Sequence, residues 1–491
     1  MSAQSAAEQV PHLKNPIVRL FETAAKDPQR IALASNRTRL SYGEFASIVQ
    51  RCAQRLRVHG IGPSSIVAVD CEPEIGAVIS CALLQLGATS TTIAAQLLPA
   101  VAGQLSAIVT DAVDRGHPVQ RRIVLESRFF ETLDATARLM EIAELRPDEV
   151  VRVVFSSGTT GVPKGVPFSK TILEARLASA RANWMPKLPF LSMLGPETVT
   201  GYQTMSAQLL SGETYLVARD ATETLARIAE FGVRSIKTSP AKLADLIRAR
   251  RDHPTDTWST DSLEVIQIAG SLLSPAIALA CENAFGITPT ILYGSTEVGT
   301  VTRGAFSADQ PKRLGTVIDE VQLEIVDGND VPVAPDGHGR IRMRRDPMPE
   351  GYWLGEPSAG TGFLAGWFYP GDTGSLSPSG ELTLAGRTNE VVNAGGSKVN
   401  LAELDLWLSE IDALSDVATF QFLSELDEPL LGLAFVSETA IAAEDLERTI
   451  ARRVSGVRFH SLIRLTSIPR NALGKVDRNR LTELTTKDSH G

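Results

Sequence analysis

Basic charge is in short supply in this sequence. Its 48 lysines and arginines face 57 aspartates and glutamates, a formal net charge of −9. That deficit excludes the broad cationic footprint on which sequence-independent nucleic-acid binding depends. Cysteine is scarcer still, with four among 491 residues. Cys52, Cys71, Cys81 and Cys281 show neither C-x-x-C spacing nor the framework of a small stapled domain. Each lies in an apolar or amphipathic stretch, so all four read as buried thiols. No apolar run reaches membrane-spanning length, and the opening MSAQSAAEQVPHLKNP has no apolar leader core. The expectation is a cytoplasmic protein with no membrane partner.

What is present is ordinary globular material: 43% hydrophobic and 21% charged residues, without repeats or low-complexity tracts. A chain of this length exceeds one compact core, which implies at least two domains. Strand and helix patterns alternate, as in an α/β protein. Ser41-Tyr-Gly-Glu44 reads as a capping box opening a helix that stops at a glycine. SIVAVDC reads as a buried strand and EIGAVISCALLQLG as a mostly apolar helix. VVRVVFS is a β-branched strand ending at Ser156, and Ser169 is placed to cap a helix through TILEARLASARANW. Ser239-Pro240 and Ser274-Pro275 each pair an N-cap with proline at the first helical position. Further strands are expected at LEVIQIAG, PTILYG, VQLEIVD and RIRMR.

The strand VVRVVFS runs into SSGTTGVPKGV, a loop too poor in bulky side chains to build a core. Glycine lets backbone N–H groups approach an anion closely, and serine and threonine hydroxyls add donors, so the loop is suited to phosphate. It is not a Walker A loop: Gly158 and Gly161 are too close together, and Lys164 precedes a glycine instead of following one. Near the C-terminus NALGK fails the same test, because Pro469 stands at the first glycine position and Val476 at the hydroxyl position.

Five motifs in order resemble those of the adenylate-forming superfamily: acyl- and aryl-CoA synthetases, adenylation domains and firefly-type luciferases. They are SSGTTGVPKGV at 156–166, YGSTEVG at 293–299, GWFYPGDTG at 366–374, GRTNEVVNAGGSKVNLAELD at 386–405 and PRNALGKVDR at 469–478. The resemblance implies an α/β fold with a large multi-sheet N-terminal domain over 1–388. A small mobile C-terminal α/β domain over 389–491 then carries the catalytic lysine. The implied enzyme is an AMP-forming acid–thiol ligase. A carboxylate attacks the α-phosphate of ATP, pyrophosphate leaves, and the acyl-adenylate passes to the thiol of CoA or of a carrier protein's phosphopantetheine.

The resemblance also distributes roles. Ser157, Thr159, Thr160 and Lys164 would hold the ATP phosphates. Tyr293 and Gly294 would face adenine and ribose, with Ala269-Gly270-Ser271 bordering both that side and the acyl pocket. Thr296 would donate to the α-phosphate, and Glu297 is the hard oxygen ligand for Mg²⁺. Asp372 would accept the ribose hydroxyls, with Arg387 beside ribose and phosphates. Lys475 would stabilise the pentavalent phosphate, Asn389 would be the hinge, and Gly395-Gly396 would admit the pantetheine arm.

The sequence departs from the family in places. Asparagine is uncommon at the hinge, and Pro370 replaces the frequent Ser or Thr. No histidine or aromatic gate stands near Ser192. Counting back from Gly212 puts Val199 where amino-acid-activating relatives carry an aspartate, and an apolar residue cannot pair with an ammonium. A small carboxylic acid other than an α-amino acid is therefore expected, in a pocket including Val199, Thr200 and Gln203. Two other readings stand beside this one: an amide ligase that passes the adenylate to an amine, and a nucleotide-binding relative without catalysis.

Overall fold

The computed structural model describes residues 14–93, 98–111, 119–125, 140–156, 164–185, 187–253, 258–355, 361–387, 391–394, 397–411, 413–423, 429–437, 445–446, 448, 450, 459–471 and 474–488. Helix α1 (Tyr42–Val58) begins where the sequence says it should. Ser41 Oγ accepts from the Glu44 amide at 3.3 Å and Glu44 Oε2 from the Ser41 amide at 2.8 Å. The strands β1 (Ile66–Asp70), β2 (Thr89–Thr92), β3 (Ala107–Thr110), β4 (Arg122–Val124), β5 (Val150–Ser156) and β6 (Lys164–Ser169) form a six-stranded sheet in the order β4-β3-β1-β2-β5-β6. All neighbours are parallel except β5 and β6, an antiparallel pair that flanks the Gly/Ser/Thr loop. Helix α2 (Pro73–Gln85) connects β1 to β2 and is buried along almost its whole length, as its apolar sequence requires.

Helix α3 (Lys170–Ser179) carries the expected cap, Ser169 Oγ accepting from the Ile172 amide at 3.2 Å. The sequence predicts one helix through Trp184. Instead, the last turn, Ala180–Trp184, widens to a π-helix, which adds a residue to the turn and leaves Trp184 2% exposed.

A second sheet is built on four parallel strands: β7 (Phe190–Ser192), β8 (Ser235–Thr238), β9 (Val265–Ala269) and β10 (Thr290–Ser295). Between these strands run α4 (Val199–Leu209), α5 (Pro240–Asp252) and α6 (Pro275–Phe285). Ser239 and Ser274 cap the last two through the amides of Lys242 and Ile277. The sheet continues antiparallel through β11 (Gly299–Ala305), β12 (Arg313–Val317), β13 (Gly339–Arg344), β14 (Asp372–Leu376) and β15 (Glu381–Arg387). The order along this stretch is β7-β8-β9-β10-β11-β12-β15-β14-β13.

The two faces of the parallel strands meet different cores. Ile236, Ile266, Ile268 and Ile291 join the cluster under α5 and α6. On the opposite face, Phe190 and Leu292 join a cluster shared with Val67, Val109 and Val151 of the first sheet and with Trp184, Tyr202 and Met205. Strand alternation alone produces this division.

Beyond β15, helix Leu401–Leu408 and the strands Asp416–Leu423, Pro429–Val436 and Ser461–Arg464 make a third α/β layer, followed by helix Arg478–Asp488. Leu408, Leu433, Phe435, Leu446 and Ile450 form one core there.

Cys52, Cys81 and Cys281 are buried and Cys71 is half-buried, and all four are free thiols. Burial pushes the thiol of each upward, that of Cys81 and that of Cys281 to about 12. Among the described residues, no helix is long and apolar enough to cross a membrane.

Candidate active site

The carboxyl ends of parallel strands are the usual place for a ligand in an α/β sheet. Here that edge carries Ser239 after β8, Gly270 and Ser271 after β9, and Tyr293 and Gly294 near the end of β10. Gly270 takes φ +102 as the chain leaves β9, and Ser271 is exposed beside it.

Tyr293 and Gly294 belong to a hairpin whose register shifts between them. A side chain at 294 would collide with the Gly299 carbonyl, so the hairpin closes only with glycine there. The turn of this hairpin presents Thr296 and Glu297, which are 8% and 6% exposed. A buried carboxylate in a turn needs anchoring. The turn is held by its carbonyls: Arg176 Nη2 donates to Glu297 O at 2.7 Å, and Arg345 Nη1 to Val298 O at 3.3 Å. Arg176 is pushed well below the usual guanidinium range, first by burial and then by the neighbouring Arg345. Glu297 Oε1 accepts from the Tyr352 hydroxyl at 3.1 Å. Burial, with the Glu297 charge second, raises the Tyr352 phenol, so it stays a donor. Lys164 Nζ lies 5.5 Å from the centre of the Tyr352 ring. Lys164 and Glu297, 133 positions apart in sequence, thus share one aromatic neighbour.

Asp372 forms a second centre. It opens β14 opposite Arg387, the last residue of β15, and is 3% exposed. Its Oδ1 accepts from Arg387 Nε at 2.8 Å and its Oδ2 from Tyr293 OH at 2.6 Å. Burial, and then the Asp372 charge, hold the Tyr293 phenol well above its ordinary range. Each carboxylate oxygen retains capacity for a further donor.

Lys475 lies on a tightly tied loop. Arg470 Nη1 donates to Gly474 O at 3.0 Å, and the Lys475 amide donates to Asn471 Oδ1 at 3.1 Å. Gly474 has φ +75, and a Cβ on it would stand 2.5 Å from Ser239 Oγ, so this loop abuts the start of α5. We expect Gly474→Ala to lower ATP–pyrophosphate exchange about tenfold, since left-handed backbone alone costs a non-glycine residue about 1–2 kcal/mol. Thioester formation from a supplied acyl-adenylate is the comparison, and it should hardly change.

In the expected acid pocket, Thr200 and Gln203 are buried on α4, while Val199 is half-buried against the cluster of Val154, Val166 and Phe168. Ser192, at the position of the missing gate, is occupied with its own strand end: its hydroxyl donates to Leu194 O at 3.0 Å and accepts from the Leu194 amide at 3.1 Å. Ser157, Thr159 and Thr160, the hinge position Asn389, and Gly395 and Gly396 lie outside the described residues.

Four residues escaped the sequence reading. Arg176, Arg345 and Tyr352 lie in no motif, and only folding brings them to the turn at 296–298. The fourth is Lys237 on β8, 3% exposed, with its Nζ 4.0 Å from the centre of the Trp184 ring. Ile236 is the single apolar residue of this strand, so the sequence carries no signal that marks the lysine as buried. Burial pushes its ammonium down to about 7 from 10.5. Between these values the unfolded chain holds a proton that the native one has released, so stability rises with pH across that window. We expect Lys237→Met to raise Tm at pH 7 and that advantage to shrink by about pH 9.5.

A family model described as "AMP-binding enzyme" matches residues 20–353. This chain belongs to the AMP-binding enzyme family. A curated relative is the 2-hydroxy-7-methoxy-5-methyl-1-naphthoate–CoA ligase of Streptomyces carzinostaticus, 24% identical over 94% of this chain and 91% of its own. Among solved structures, the O-succinylbenzoate coenzyme A synthetase of Bacillus subtilis in complex with ATP and magnesium ion superposes with TM-score 0.79 at 20% identity, covering 94% of this chain and 98% of that one. The amide bond synthetase of Marinactinospora thermotolerans gives 0.77 at 19% identity, covering 96% and 99%. At these identities the structural likeness speaks for the shared fold.

Proposed function

We propose that this member of the AMP-binding enzyme family activates a carboxylic acid with ATP as an acyl-adenylate. It then transfers the acyl group to the thiol of coenzyme A, releasing AMP and pyrophosphate. The observation that carries this reading is the convergence on one sheet edge of the Thr296–Glu297 turn, the Tyr293–Asp372–Arg387 cluster and the Lys475 loop. Those groups match what acyl-adenylate formation demands: donors and fixed positive charge where negative charge moves between phosphate oxygens.

In this mechanism Asp372 accepts the ribose hydroxyls while Arg387 and Tyr293 fix its orientation. The Tyr293 ring and Gly270 border the adenine. Thr296 donates to the α-phosphate, and Lys164, with Ser157, Thr159 and Thr160, holds the β- and γ-phosphates. Lys475 stabilises the pentavalent phosphorus as the acid oxygen bonds to it and the bond to pyrophosphate breaks. Glu297 fits a Mg²⁺ site: a buried, hard oxygen donor with one oxygen held by Tyr352, beside the place for phosphates. Among the described residues there is no cluster of three or more acidic, His or Cys groups. Phosphates and water would complete the metal's shell, the usual arrangement for Mg²⁺. When bound, the ion supplies charge neutralisation to the phosphates.

For the second half-reaction, rotation of a C-terminal domain from residue 389 onward about Asn389 would withdraw Lys475 and bring in Gly395 and Gly396, where glycine leaves room for a pantetheine arm. The separate core of Leu408, Leu433 and Phe435 supports a unit able to move as a body. A carrier-protein phosphopantetheine offers the same thiol. The test is pyrophosphate exchange across aliphatic, aryl and amino acids, followed by product analysis with CoA, carrier protein and amine acceptors. An AMP-linked product must appear with some acid. Amide product without thioester would instead make this an amide ligase.

A further inference from the structure

The layer beside the expected acid pocket has a feature that the general reaction does not require. Lys237 alternates along β8 with Ile236, which faces the core under α5 and α6, so Lys237 faces the other way, into the layer between the sheets. Its register partner on β9 is Gln267, which alternates with Ile266 and Ile268 and faces the same layer. Gln267 is 1% exposed and its Oε1 has no hydrogen-bond partner. Trp184, whose ring lies under the Lys237 ammonium, packs in the cluster to which α4 contributes Tyr202, Met205 and Leu209. The amide of Gln208 ties α4 to β7 through the Phe190 carbonyl at 2.7 Å. On that same helix Gln203 is 6% exposed, with an unpartnered Nε2.

No carboxylate among the described residues pairs with Lys237, and burial is the sole cause of its lowered ammonium. A buried ammonium without an acceptor costs stability, and the face of Trp184 offsets only part of that cost. Depth along the sheet is fixed by register: Lys237 is level with Gln267, and Gln267 with Thr290. Tyr293, three residues further along β10, is therefore about 10 Å nearer the nucleotide end. Lys237 is thus placed beneath the activation site, at the depth reached by the far end of an acid whose carboxyl group is being adenylated.

Resting on the proposed acid activation, we propose that Lys237 binds a second carboxylate at the distal end of the substrate. The enzyme then selects dicarboxylic acids, activating one end and holding the other. The apolar Val199 agrees with this choice, since it offers no carboxylate to a substrate ammonium.

The experiment is pyrophosphate exchange with matched acids that differ only in the distal group: hexanoate against adipate, benzoate against terephthalate, and longer members of both series. Wild-type protein should favour one diacid over its monoacid about 100-fold or more in kcat/KM. Lys237→Met should erase that ratio mainly through KM, and Lys237→Arg should restore part of it. A wild-type enzyme that uses monoacids as well as or better than every diacid overturns the proposal and leaves acid activation standing. A diacid preference that survives in Lys237→Met overturns it equally. If no acid supports exchange, the activation reading fails and this one with it. Should Lys237→Met not fold, the wild-type series alone decides.

Discussion

Lys475→Ala should lower ATP–pyrophosphate exchange by about 10²–10³-fold, the range found when one fixed donor to a developing charge is removed. The pentavalent phosphorus gathers charge that the ground state lacks, so the loss should fall on kcat, with the KM values for ATP and acid changing little. The loop geometry makes the lysine's place specific. Arg470 ties the Gly474 carbonyl, Asn471 caps the Lys475 amide, and Gly474 lies against Ser239. A long stem ending in a point charge suits a group that must enter and leave. The contrasting measurement uses a chemically prepared acyl-adenylate with coenzyme A, where the variant should retain most of the wild-type rate. Equal loss in both halves would remove Lys475 from the adenylation step.

Asp372→Asn should raise the KM for ATP about 10-fold, and Asp372→Ala about 100-fold, as expected for losing hydrogen bonds to a charged acceptor. The carboxylate already collects Arg387 and Tyr293, each at hydrogen-bond distance, and so is oriented before any nucleotide arrives. Asparagine keeps an acceptor and the shape but halves the carboxylate's capacity. Alanine also leaves the Arg387 guanidinium without this partner, so a Tm measurement must accompany it. Initial rates at saturating acid, together with calorimetric ATP binding, are the checks. Unchanged ATP affinity in both variants would sink the ribose assignment.

Much of the fold around this candidate site was legible in the sequence. The Ser41–Glu44 box, the Ser169, Ser239 and Ser274 caps and the strands near 150, 265, 290 and 340 are local signals, and they hold because local hydrogen bonds and alternation decide them. Glu297 and Asp372 were found by motif. The residues that hold the 296–298 turn were not, because Arg176, Arg345 and Tyr352 reach it across separations of 121, 47 and 55 residues. No periodicity encodes such contacts. The π-turn at 180–184 was missed for a related reason: a regular helix satisfies the same sequence pattern. Lys237 was passed over because a single lysine in a short strand reads as an edge residue until the sheet is assembled around it.

The state of the four native thiols bears on how the proposed rotation can be watched. With every sulfhydryl shielded from solvent or nearly so, and held in its protonated, weakly nucleophilic form, background labelling should be slow. Two cysteines introduced at exposed positions, one on either side of residue 389, would then take probes selectively in the otherwise wild-type protein. The same inertness would protect the enzyme from thiol–disulfide exchange with oxidised pantetheine, in which a protein thiolate displaces one pantetheine thiol and is left as a mixed disulfide.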